Sequence, residues 1–157
     1  MVEQIRLLQA EIRANMTSIQ EVYQQIDALG QVSGSQQDII LGYYLNVLYG
    51  LFENIFEQIA EKFGNHITDK SQWHTQLLKR MTLDVRPIRP PVISQEAYIY
   101  LNELRGFRHL FRNAYVLQFD PERLNLVLRE AIKLKAIYET EINEFLDFLE
   151  QLAQTDL

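Results

Sequence analysis

Apolar residues recur at three- and four-residue steps along the first stretch of the chain: Ile5, Leu8, Ile12, Met16, Ile19, Val22, Tyr23 and Ile26. That period predicts a long amphipathic helix over residues 2–29. Gly30, Ser33, Gly34 and Ser35 then turn the chain and offer a serine cap. A second helix is predicted over 36–63, ending at Gly64 and Asn65. Its first half is apolar nearly all round, which suits the middle of a bundle. A short third helix fits 72–81, with Ser71 or Asp69 as its cap. Residues 82–93 hold Pro87, Pro90 and Pro91, so they cannot be helix interior and read as an ordered connector. Ser94 restarts the chain, with Glu96 in the first turn, and a fourth helix should run to about residue 117. Asp120, Pro121 and Glu122 combine N-cap, first-turn proline and first-turn acid, and open a fifth helix reaching about residue 152. No strand pattern competes. The expected architecture is all-α: an antiparallel four-helix bundle plus a short extra helix, one domain over residues 1–157.

Composition narrows the chemistry. The chain has 157 residues, 47% hydrophobic and 23% charged, enough for a core without staples. It has no cysteine, which excludes disulfides, thiolate metal sites and a cysteine nucleophile. The net charge of −6 makes the whole chain a poor non-specific nucleic-acid binder. Residues 79–112, however, carry seven basic and three acidic side chains, a local +4 against −10 for the remainder. A basic patch on an acidic body fits a phosphate-bearing ligand held at one place. The most apolar run, residues 39–52, carries Asn46 and is too short to span a membrane, and the N-terminus has no signal-like segment. The expectation is a cytoplasmic protein with no membrane association.

Phosphate-loop, dinucleotide, zincin and serine-elbow motifs are all missing. Glu53, Glu57 and Glu61 share a helix face, but no Glu-x-x-His pairs exist to make a di-iron site, so the row reads as a solvated acidic face or a docking surface. No cofactor and no metal is expected. His66 reads as a turn residue, Trp73 as core and His74 as an ordinary helix residue. The fourth helix is different. At about 100° per residue, Arg105, Arg108, His109 and Arg112 fall within one arc, flanked by Asn113 and Tyr115. Leu104, Phe107, Leu110, Phe111, Ala114 and Leu117 take the opposite, core-facing side. Like charges at four-residue spacing destabilise a helix, so the arginines need compensation. Acids on a neighbouring helix or subunit could supply it, the Glu53 row among them; so could a phosphate, which guanidinium forks grip bidentately.

The stretch FRHLFRNAY (107–115) resembles the signature of the HEPN superfamily, most closely the HepT-like toxins: Arg, four residues, His, one residue, Tyr. WHTQLLKRM, RPPVIS, ELRGFRHLFR and the acidic-proline helix start are similar to one HepT-like subfamily, with coverage from about Gly42 onward. The resemblance implies a helical-bundle homodimer, a metal-independent ribonuclease paired with a nucleotidyltransferase-type antitoxin. It sets Arg108 at the arginine position, Asn113 at the histidine position and Tyr115 at the tyrosine, the residue such an antitoxin would modify. Arg105, Arg108 and Arg112 would bind RNA phosphates. Asn113 departs from the family pattern, because an amide exchanges no proton at accessible pH. The favoured expectation is therefore an RNA-binding dimer with impaired cleavage. The alternatives are a competent ribonuclease using His109, one turn earlier and expected to point well away from Asn113, or a non-catalytic protein-interaction bundle.

Overall fold

The computed structural model describes residues 1–29, 34–63, 70–113 and 120–155. Among these residues six α-helices follow in order: α1 Val2–Leu29, α2 Ser35–Lys62, α3 Trp73–Arg80, α4 Gln95–Arg112, α5 Pro121–Lys135 and α6 Tyr138–Thr155. The architecture is the expected all-α bundle, with α1, α2, α4 and the α5–α6 pair as its long members and α3 as the short extra helix. Among the described residues the only β pairing is an isolated bridge between Val85 and Arg89.

α1 buries the residues its period marks from Ile5 to Ile26, Val22 only partly, against α2 and α6. α2 touches α1, α3, α4 and α5 and so is the central helix. Its length and composition would let it cross a bilayer, contrary to the expectation from its apolar run alone. The same properties are what a bundle's middle helix needs, and Leu45, Leu48, Phe52, Ile55, Phe56 and Ile59 are all buried in the core. Its first half is less enclosed than expected: Ile40 and Tyr43 are exposed.

Three boundaries differ from the sequence reading. Lys70–Gln72 form a 3₁₀ turn, and α3 starts after Gln72 with no side-chain cap, so Ser71 is not its cap. Asp69 and His66 lie outside the described residues. α4 stops at Arg112 with Asn113 as C-cap. The predicted fifth helix is two helices. Ala136 N–H donates to Lys133 O (3.2 Å) and Ile137 N–H to Leu134 O (3.0 Å), three-residue bonds that tighten the turn and break the helix without proline or glycine. The break redirects Tyr138 into the core, where its ring stacks on Tyr23 (5.7 Å) and meets Phe52 edge-on (5.3 Å).

The caps at Ser94 and Asp120 form as their sequences demand, accepting from Ala97 N–H (3.1 Å) and Glu122 N–H (3.1 Å). The proline connector is held from inside by Arg89, which is 1% exposed. Its guanidinium donates to Leu83 O (3.2 Å), Pro90 O (3.1 Å) and Arg80 O (3.0 Å). Among the described residues no carboxylate pairs with it, and burial holds its pKa below the usual arginine value.

Candidate functional site

A cleft of about 500 Å³ opens between α2, α3 and α4. Its α2 wall is a stripe of non-aliphatic residues that begins inside the helix's apolar run. Asn46, Tyr49, Gly50 and Glu53 stand at the i, i+3, i+4, i+7 spacing that puts them on one face. α3 contributes His74 and Thr75, and α4 contributes Arg105, Arg108, His109, Arg112 and the capping Asn113.

Arg108 is seated against the backbone of α2. Its Nη1 donates to Asn46 O (2.9 Å) and to Asn46 Oδ1 (3.1 Å). Gly50 makes that seat available, because a methyl at its Cα would lie 2.9 Å from Arg108 Nη1. Arg105 donates from Nε to Asn102 Oδ1 (3.0 Å), and Arg112 is exposed. Among the described residues, none of the three forms an ion pair with a carboxylate. The acidic row does not compensate them as one sequence alternative allowed. Glu57 and Glu61 are exposed, whereas Glu53 is 7% exposed, and its carboxylate accepts from His74 Nδ1 at 2.7 Å. Glu53 is therefore no solvated residue and His74 no ordinary one. Trp73, half-buried rather than core, contacts the His74 ring edge-to-face at 4.8 Å.

The cleft also holds a buried group with no hydrogen-bond partner among the described residues. Tyr49 is 1% exposed, and its hydroxyl has no hydrogen bond among the described residues. Burial pushes its pKa far above the ordinary phenol value; Glu53 adds to the rise while Arg105 and Arg108 oppose it.

Asn113 donates from Nδ2 to His109 O (2.8 Å) and comes within 3.5 Å of His109 Nδ1. The two side chains thus face the same way, contrary to the expectation of divergent directions. Four residues on a helix bring side chains to one face. Tyr115, Ala114 and Leu117 lie outside the described residues. Leu110, expected in the core, is 50% exposed. The basic run of residues 79–112 does not form one surface: Arg89 is buried, and Arg86 is paired with Asp84. Only Arg105, Arg108 and Arg112 line the cleft.

Fold and site together define an α-helical bundle with a cationic, imidazole-bearing cleft beneath the C-terminal turn of α4. The family model of HepT-like proteins matches residues 40–149, well over half of the chain, and the chain belongs to that family, within the HEPN superfamily. No curated protein and no solved structure matches it.

Sequence reasoning missed Asn46, Tyr49, Gly50 and the Glu53–His74 pair. The signal was present as four non-aliphatic positions at helical spacing inside the most apolar helix. Without the fold, nothing said that this stripe faces the arginines.

Proposed function

We propose that this HepT-like protein is the toxin-family half of a toxin–antitoxin pair, a cytoplasmic homodimer that binds RNA through the α2–α3–α4 cleft. Its partner in this reading is a nucleotidyltransferase-type antitoxin acting on Tyr115. The observation that carries the reading is the set of three guanidiniums lining one cleft, none ion-paired among the described residues because Glu53 is taken by His74, beside a buried hydroxyl with no partner there. Phosphate oxygens meet all of these needs: they are anionic, accept from guanidinium forks and accept from a phenol. Uncovered apolar residues support dimerisation near the cleft. Leu110 lies in the last turn of α4, while Ile40 and Tyr43 lie on the half of α2 that Arg108 reaches through Asn46. The family's proton-transfer position is filled by Asn113, which moves no proton, so cleavage requires another group.

The test is RNA affinity by fluorescence anisotropy across a salt series. Each phosphate contact to single-stranded RNA contributes about 0.7 to the slope of log affinity against log salt. Replacing Arg108 and Arg112 by Ala should flatten the slope by about 1.4 while circular dichroism stays unchanged. An unaltered slope would assign these arginines to structure and favour the protein-interaction reading. A monomer by light scattering would remove the dimer.

A further inference from the structure

The cleft holds a second, unassigned feature: a histidine–carboxylate pair built from two other helices. His74 enters from the first turn of α3 and Glu53 from the middle of α2. The Nδ1–Oε2 distance is 2.7 Å, and the carboxylate is nearly sealed while the imidazole keeps about half its surface open. A carboxylate only accepts, so Nδ1 is the donor of this pair, and the neutral ring in that tautomer presents its lone pair at Nε2. Trp73 braces the ring from one side. A base nitrogen exposed in a cleft, with its tautomer fixed by a buried carboxylate, is the arrangement by which enzymes orient a general base. A purely structural pair would have no need to face three guanidiniums and a second imidazole.

We infer that His74, oriented by Glu53, is the general base of this cleft, and that the protein cleaves RNA despite Asn113. The inference rests on the RNA-binding reading above. His74 Nε2 removes the proton of a ribose 2′-hydroxyl as that oxygen bonds to the adjacent phosphorus. The bond from phosphorus to the 5′-oxygen breaks. The departing oxygen takes a proton from protonated His109, whose ring lines the same cleft. The products are a 2′,3′-cyclic phosphate and a 5′-hydroxyl, with no co-reactant consumed. Arg105, Arg108 and Arg112 hold the non-bridging oxygens, and solvent returns the proton from His74 to His109. Glu53 touches no substrate and is a positioning residue.

The experiment incubates the full-length protein with a randomised single-stranded RNA pool and with total transfer RNA, in the presence of a chelator. It measures cleavage and binding separately. Wild type should release cyclic-phosphate ends. His74→Ala should lose about a hundredfold or more in kcat, the usual contribution of a proton-transfer group. Its RNA affinity should hold within about twofold, and added imidazole should restore part of its rate. Glu53→Gln should lower kcat and leave KM near wild type, whereas a merely structural role would disturb both or neither. His74 is half-exposed, so its variant should fold, and circular dichroism checks this. Wild type that binds RNA without cleaving it, or His74→Ala that cleaves like wild type, would overturn the dyad and leave the RNA-binding reading intact. Wild type that does not bind RNA would overturn both.

Discussion

Tyr23 and Tyr49 are sealed in the same bundle, 3% and 1% exposed, yet their hydroxyls have opposite fates. Tyr23 donates to Ala131 O at 2.7 Å, and its ring stacks on Tyr138, so one side chain ties α1 to α5 and α6. Tyr49 donates to nothing among the described residues and sits under the arginine cleft. The arginines repeat the contrast. Arg89 commits both Nη nitrogens to three backbone carbonyls, whereas Arg108 uses one nitrogen on Asn46 and turns the rest toward the cleft. A buried polar group left unpaired costs about 1–3 kcal/mol. Two regions of one core therefore differ in purpose. The Tyr23 seam pairs its hydroxyl, and Arg89 spends both Nη nitrogens on the connector and leaves only Nε without a partner among the described residues, while in the cleft the Tyr49 hydroxyl has none.

The largest test of this contrast sets the two arginines side by side. Arg89→Ala removes a buried charged donor from three part-buried carbonyls and should cost about 3 kcal/mol in denaturant unfolding. Arg108→Ala, at the half-buried wall of an open cleft, should cost about 1 kcal/mol. Equal losses would break the distinction between a structural and a functional arginine.

The tyrosines give a sharper version. Tyr23→Phe should destabilise by about 1–2 kcal/mol, since Ala131 O loses its partner in the interior. Tyr49→Phe deletes a hydroxyl with no partner among the described residues, so its effect on stability should be near zero or slightly favourable, while RNA affinity falls. If Tyr49→Phe destabilises as much as Tyr23→Phe, the Tyr49 hydroxyl is not held open for a ligand.

The smallest effect on stability is expected at Gly50. A methyl there gains up to about 1 kcal/mol of helix propensity but must displace the Arg108 guanidinium. Gly50→Ala should therefore melt at or above the wild-type temperature and bind RNA severalfold more weakly. Unchanged affinity in that variant would show that the Arg108 seat has no part in binding.

The helices were legible because burial imposes a period on sequence. The stripe from Ile5 to Ile26, the capping serine at Ser94 and the Asp120–Pro121 start all carry their instructions locally, and all three appear in the fold. The arginines of α4 were legible for the same reason, as charges gathered on one helical arc. What the sequence could not show is which groups meet across helices. The break at Ala136 has no proline or glycine to announce it; it follows from where Tyr138 must go. Glu53 reads as solvated because two more glutamates share its face, and only the approach of α3 encloses it with His74. Gly50 and Asn46 read as gaps in an apolar run until α4 lays Arg108 against them. Period and caps are properties of neighbours in the chain, which sequence alone determines. Hydrogen bonds between residues 21 apart, as in Glu53 and His74, or 62 apart, as in Asn46 and Arg108, depend on packing angles and register that only the tertiary structure decides.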